Sequence, residues 1–280
     1  MWGSTFVITK GSLDHISQLL FVAIRFGAAT IILTIFFFKQ VRTITRGAMF
    51  SGAVLGVLLF AGFLAQNIGI TYTTASKSAF ITGTLVVFTP IVQFITDRRV
   101  PRLGNLLGVI FAAIGLYLLT SPTGSEFNKG DALTFICAIT FAMYIVYLGK
   151  VSDKHDRFHL TYSQLFVVAL LAMVGMIEFE KPWIEFSPQL KFSLLYLMLF
   201  ATLISTWVQT RYQGDTIATR AAIIFTTEPV IAATLAYFVR GEMIGIAGVI
   251  GGAVIVSGLM VSELSDAVPW LNKALSPKSE

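Results

Sequence analysis

Ala75-Ser76-Lys77-Ser78-Ala79-Phe80-Ile81 returns 143 residues later as Ala218-Thr219-Arg220-Ala221-Ala222-Ile223-Ile224, and both copies lie in strongly apolar surroundings. At the same offset Gln66 meets Gln209, Val87 meets Val230, Gly108 meets Gly251 and Gly115 meets Gly258. The register holds across three successive apolar segments without a gap. Internal repetition inside an apolar chain marks a membrane protein assembled from two related halves, with a solute path where the halves meet.

Composition places the chain in lipid. With 55% hydrophobic residues, 12% charged residues and a mean hydropathy of +0.79, there is too little polar surface to cover a water-soluble globule of 280 residues. Runs of about 20 apolar residues, the length that crosses a bilayer core, fall near 18–38, 47–68, 73–96, 103–120, 129–149, 160–178, 190–209, 216–239 and 242–262. A tenth is partial: Met1 to Thr9 is apolar and stops at Lys10-Gly11-Ser12. Nine helical residues rise about 14 Å, half a membrane. The expectation is a first helix truncated at its N-terminal end, because its counterpart in the second half begins near Lys129, well before the matching Phe141-Ala142.

The fold expected is therefore an all-α polytopic membrane protein of ten transmembrane helices. Its first half spans 1–122, its second 123–262, and a polar tail follows over 263–280. Lys39, Arg42 and Arg46 share one loop, Arg98, Arg99 and Arg102 another, and Lys150, Lys154 and Arg157 a third. With ten helices these loops fall on one side, which the positive-inside rule makes cytoplasmic. The other loops carry Asp14, Glu126, Asp131, Glu178, Glu180 and Glu185. The expected location is a bacterial-type inner (plasma) membrane with both termini in the cytoplasm. Five helices per half is an odd number, so the second half enters from the opposite side and the repeats are inverted.

The sequence resembles the EamA-type family of the drug/metabolite transporter superfamily. The resemblance rests on Trp2-Gly3-Ser4-Thr5-Phe6-Val7, Arg25-Phe26, the Ala75 to Ile81 segment, Thr89-Pro90, Glu228-Pro229-Val230 and Gly241-Glu242, and it covers essentially the whole chain. It implies ten helices in two repeats and transport of small organic solutes, amino acids and other metabolites among them, often outward. Two departures stand out. Asp97-Arg98-Arg99 occupies the place of a Gly-Glu pair, and the short first helix removes lining beside the central cavity.

Glu228 is the leading candidate for chemistry. A carboxylate well inside a helix beginning near Asp215 costs on the order of 3 kcal/mol on an insertion scale, so such groups usually face a wet cavity. Pro229 lacks an amide hydrogen and frees the carbonyl of Phe225. The pair suits cation binding or proton exchange; the plainer alternative is a glutamate that fixes helix packing. Lys77 and Arg220 are repeat mates near opposite mouths, where they either attract an anionic group or snorkel to the headgroups. Gln66, Asn67 and Gln209 either line the path or bond between helices. Trp2, Ser4, Tyr144 and Trp207 suit an amphipathic solute or, for the aromatics, anchoring at the membrane interface. Arg25 lies within the second helix with no evident acidic mate in the first half.

Other classes fare less well. The single Cys137 excludes disulfides and cysteine-based metal sites. His15, His155 and His159 lie in or near loops, the last two expected in solvent beside a charged turn. No HExxH pattern, no paired aspartates in a helix and no phosphate-cradling Gly-Lys-Ser/Thr loop occur, so neither metal nor cofactor is expected. An intramembrane enzyme acting on lipid-linked groups is the alternative from another class. The net charge of +5 is scattered over short loops, which excludes a nucleic-acid stripe. The expected partners are the bilayer and a small solute. Small residues at four-residue spacing, Gly52 and Gly56, Gly104, Gly108 and Ala112, Gly248 and Gly252, suit close helix packing first and a homodimer seam second.

Overall fold

Long apolar runs punctuated by capping residues become helices here, and the caps fix where each begins. The structure, a computed structural model, describes residues 2–73, 75–98, 102–120, 128–231, 234 and 245–267. Side chains of 75–77, 119–120 and 263–267 are outside that description, as are Arg99, the 121–127 connection, Gly241, Glu242 and the tail beyond 267. In chain order the helices are α1 (Thr5–Leu13), α2 (Gln18–Phe36), α3 (Arg46–Tyr72), α4 (Ala75–Gly83), α5 (Leu85–Asp97) and α6 (Leu103–Thr120). They continue as α7 (Lys129–Val151), α8 (Arg157–Phe179), α9 (Pro188–Tyr196), α10 (Ser205–Tyr212), α11 (Ala218–Phe225) and α12 (Ile246–Ala267). Thr45, Asn128, Asp156 and Ser187 each accept a backbone N–H in the first turn of the helix that follows, and Asn128 and Asp131 do so reciprocally.

The described residues contain no strand, only the isolated bridge of Ile16 with Ile184. Among the described residues six segments are long and apolar enough to cross a membrane: Gln18–Phe36, Arg46–Tyr72, Ser78–Asp97, Lys129–Val151, Arg157–Phe179 and Pro188–Asp215. Shorter apolar helices cover Leu103–Leu118 and Ile246–Ser262. Large apolar side chains such as Phe36, Phe94 and Phe179 point outward while others fill the interior. Helices apolar on every side are at home in lipid.

Two boundaries differ from expectation. The first helix does not stop at Lys10-Gly11-Ser12 but runs to Leu13, because Lys10 Nζ donates to the Thr73 carbonyl (2.8 Å) and Ser12 Oγ donates back to Ile8 (2.8 Å). The helix expected from residue 216 starts at Ala218 and ends at Phe225.

Contacts sort the connections into two ends. At one, Ile16 pairs with Ile184, the Glu180 carboxylate accepts from the Leu19 and Leu20 amides at the start of α2 (3.1 Å), and Thr73 donates to buried Asp131 (2.8 Å). At the other, Ser51 bonds His155 (3.0 Å), Thr43 bonds His159 (3.4 Å) and Lys150 pairs with Asp97. The two histidines thus join neighbouring helices and do not simply face solvent.

Glycines set the closest approaches. A Cβ on Gly52 or Gly56 would strike Ser163 or Val167 of α8, and one on Gly62 would strike Phe141 of α7. The α6–α12 seam is tighter. Gly108 meets the Gly258 carbonyl and Gly115 meets the Gly251 carbonyl, the hypothetical Cβ distances being 2.9 and 2.7 Å. Small residues let helices touch backbone to backbone, which is how they associate in lipid.

Candidate functional site

Pro229 shapes the centre of the molecule. Its ring cannot donate to, and crowds, the carbonyl of Phe225, where α11 ends. Thr226 turns the chain, its hydroxyl donating to Ile223 (2.6 Å), and helical winding resumes at 227. Glu228 therefore stands in the first turn past a break, not deep within a continuous helix. A like break separates α4 from α5, where Thr84 donates to Ile81 (2.5 Å) and Leu85 follows.

A second irregularity faces it. Between α9 and α10 the chain winds as a π-helix over Leu197–Ile204, a form often found at functional sites. The Ala201 carbonyl in this stretch accepts from Trp2 Nε1 (2.8 Å) and from Arg25 Nη2 (3.3 Å), and Arg25 Nε donates to the Thr202 hydroxyl. The Arg25 guanidinium also lies 5.0 Å from the Phe63 ring centre and 5.4 Å from that of Phe26. Only 3% of Arg25 is exposed. A hydroxyl, a carbonyl and two ring faces hold it, in place of the carboxylate that the sequence does not supply.

These features enclose a cavity of about 80 Å³. Trp2, Gln66, Tyr144, Gln209 and Glu228 line it, and so do Arg25 and the rings of Phe63, Phe141 and Phe225. The Glu228 wall, with Trp2, Gln209 and Phe225, is shared with an adjoining hollow of about 370 Å³ that reaches Tyr212, Gln213 and Thr216. Pro229 and Glu228 also border a small recess against Phe6 and Thr82. Neither Arg25 nor Glu228 forms an ion pair among the described residues.

The wall obeys the repeat. Trp2 and Ile145, Phe63 and Thr206, Gln66 and Gln209, Thr82 and Phe225, and Leu85 and Glu228 all stand 143 positions apart, and both members of each pair face the cavity. The glutamines match; in the other pairs one half contributes a polar group or indole where its mate is apolar or aromatic.

Several candidates sit elsewhere. Ser4 bonds the Tyr196 hydroxyl (3.0 Å), Asn67 is buried in helix packing, and Trp207 points outward at 45% exposure. Arg220 is in the first turn of α11, beside Thr219, whose hydroxyl donates to Gln93 (2.8 Å). The Lys77 side chain is outside the described residues. Tyr144 is no interface anchor. It is 2% exposed and donates to Gln164 (2.8 Å), whose amide donates to Thr210 (2.9 Å), tying α7, α8 and α10 behind the cavity. Gln66 both lines the wall and reaches Thr82 (3.4 Å). Arg25 is the lining residue whose role the sequence left open, and Leu85 was reachable by applying the repeat offset to Glu228; Phe63, Phe141, Thr82, Thr206 and Phe225 carried no signal of their own.

Among the described residues no cluster of three or more His, Cys, Asp or Glu could hold a metal. The cavity instead offers a guanidinium, a carboxyl group, amides, hydroxyls and aromatic faces, a set suited to gripping a small organic molecule.

Comparison with known proteins identifies the family. A model of the EamA-like transporter family matches residues 1–121 and 128–263. An uncharacterized transporter of Archaeoglobus fulgidus is 30% identical over 245 residues, covering 87% of this chain and 76% of the relative. An S-adenosylmethionine uptake transporter of Rickettsia prowazekii is 23% identical over 226 residues, 80% of this chain and 74% of the relative. One solved crystal structure superposes with a TM-score of 0.76 at 16% identity, over 98% of this chain and 97% of that one, which shows a shared fold.

Proposed function

We propose that this chain, which belongs to the EamA-like transporter family, is a secondary transporter that binds one small organic metabolite in the central cavity and carries it across an inner (plasma) membrane by alternating access. The solute class is an amino acid or related metabolite, with export as one direction of travel. The observation that carries the reading is the cavity wall, built from repeat mates at a constant 143-residue offset. A site shared by two related halves is the place where one half rocking against the other changes access from one face to the other.

On this reading the chain has ten spans in two inverted five-helix repeats, 1–122 and 123–262, with a cytoplasmic tail and both termini inside. The α6–α12 seam supports the inversion: Gly108 meets Gly258 and Gly115 meets Gly251, so each contact exchanges the repeat mates of the other, as an antiparallel two-fold requires. Those two helices brace the halves while the remainder move. The relative named for S-adenosylmethionine uptake supports a small-metabolite class. Glu228, with Pro229 setting the break beneath it, contacts the solute or exchanges a proton; Trp2, Gln66, Tyr144 and Gln209 shape the wall.

The test is purified protein in sealed vesicles, offered labelled amino acids and other metabolites with and without a pH gradient. Accumulation of unaltered solute inside is expected. Chemical conversion without accumulation overturns the reading in favour of an intramembrane enzyme. Glu228→Gln leaving rate and pH dependence unchanged removes that residue from the mechanism.

A further inference from the structure

Ser205, Gln209 and Gln213 follow one another at four-residue spacing, so they share one face of α10 and the turn after it. All three line the hollow of about 370 Å³ beside the central cavity, and Thr216 in the next loop lines it as well. Together they make a polar track that starts at the wall shared with the cavity and ends in the loop between α10 and α11. That loop lies at the end of the molecule where Lys150 pairs with Asp97, since a Cβ on Gly214 would strike the Asp153 carboxylate.

Two polar groups on the track lack an internal partner. Gln213 is 3% exposed, yet its Nε2 meets no acceptor among the described residues, and the Thr216 hydroxyl is buried and equally unpartnered there. Folded chains pair nearly all of their buried polar groups, because an unmet donor has given up its bond to water for nothing. Groups left unmet beside a hollow are in place to bond a visiting molecule. The volume of the hollow falls within the roughly 300–1,000 Å³ of small-molecule sites.

The first half shows the contrast. The repeat mates of Ser205, Gln209, Gln213 and Thr216 are Gly62, Gln66, Ile70 and Thr73. Helix α7 covers that stretch: a Cβ on Gly62 would strike Phe141, one on Gly69 would strike Thr134, and the Thr73 hydroxyl donates to Asp131 (2.8 Å). One end of the molecule is therefore sealed by packing where the other carries a polar track. Access from one side at a time is what two inverted halves around a shared site provide.

We propose that the hollow is the vestibule through which solute passes between the central cavity and the face bearing Asp97 and Lys150, with Gln213 and Thr216 as an outer binding station. The station recognises uncharged oxygen groups, carbonyl or hydroxyl, because the amide Nε2 donates and the hydroxyl either donates or accepts. This rests on the transporter reading and goes beyond it by assigning Ser205, Gln213 and Thr216 and by stating which face the cavity meets.

Single cysteines at Gln209, Thr216 and Thr73, in a Cys137→Ala background, test this in sealed, uniformly oriented phosphatidylcholine vesicles. The probe is a small membrane-impermeant methanethiosulfonate, enclosed or added outside, and Arg98→Cys marks the face of Asp97. Gln209→Cys and Thr216→Cys should react from that face and not from the other, while Thr73→Cys reacts more slowly than Thr216→Cys from either. Reaction of Gln209→Cys from the opposite face, no reaction at all, or equal rates for Thr216→Cys and Thr73→Cys overturns the proposal. So does reaction of Gln209→Cys only with a lipid-soluble maleimide, which would make the exposed Val208, Tyr212 and Ile224 a side door into the bilayer. Gln213→Leu gives a second measurement that needs no labelling. It removes an amide nitrogen that the fold leaves unpaired, so the unfolding midpoint should hold or rise, whereas Thr73→Val, which breaks the bond to Asp131, should lower it. A midpoint lowered as far by Gln213→Leu as by Thr73→Val makes the amide a structural bond and ends the proposal. Labelling as expected without accumulation of any solute defeats the transporter reading and leaves the one-sided opening standing; accumulation with Gln209→Cys closed from the Asp97 face defeats the vestibule alone.

Discussion

The seam of α6 and α12 should be intolerant of a single methyl group. At Gly115 an added Cβ would lie 2.7 Å from the Gly251 carbonyl oxygen, 2.7 Å from Ile255 Cγ1 and 2.8 Å from Ile255 N. Two of these neighbours are backbone, so no rotamer change relieves them. The clash falls about 0.7 Å short of ordinary contact, and a separation of that size forfeits roughly a quarter to a half of the dispersion well along the seam. Overpacking costs about 1–3 kcal/mol, against which alanine returns up to about 1 kcal/mol of helix propensity. Gly115→Ala should therefore lose up to about 2 kcal/mol net. Gly27 in α2 is the control: its added Cβ meets nothing within 4 Å, so Gly27→Ala should be neutral or gain up to about 1 kcal/mol. Unfolding of purified protein by added denaturing detergent, followed by circular dichroism, compares them. Equal midpoints for the two variants would refute the close crossing.

Other consequences follow from buried partners. Tyr144→Phe leaves the Gln164 carbonyl without its donor at a fully buried site, and should cost about 1–3 kcal/mol in the same unfolding titration. Asp131→Ala removes the acceptor of the Thr73 hydroxyl and of the Asn128 backbone N–H, again about 1–3 kcal/mol; an unchanged midpoint would mean water replaces both bonds. Lys150→Gln, by contrast, breaks a partly exposed pair with Asp97 and should shift stability by no more than about 1 kcal/mol.

The helical, lipid-facing character of the chain was legible because apolar composition and run length report it directly. The register between halves was legible too, since Gln66 and Gln209 or Gly108 and Gly251 keep their offset without a gap. What hydropathy does not encode is which neighbour a group meets. Lys10 looked like a helix stop because a charge is costly in lipid, yet the Thr73 carbonyl accepts its ammonium and α1 continues. The π-helix over Leu197–Ile204 has no local signature: its composition is plain leucine-rich helix, and two donors from elsewhere in the chain, Trp2 and Arg25, reach the Ala201 carbonyl within it. Arg25 was visible as a charge out of place, but its partners are a hydroxyl, a carbonyl and aromatic faces. Glu228 was found from cost alone. Its position past a break needed only the steric effect of Pro229 on the Phe225 carbonyl, carried one step further than freeing it.

Single cysteines at Arg98 and at Gly245, in a Cys137→Ala background, probe the account most directly. In sealed, uniformly oriented vesicles, a membrane-impermeant maleimide added from one side should reach only one of the two, and the other only from the opposite side. Labelling of both from the same side would contradict two halves threaded in opposite senses around a shared cavity.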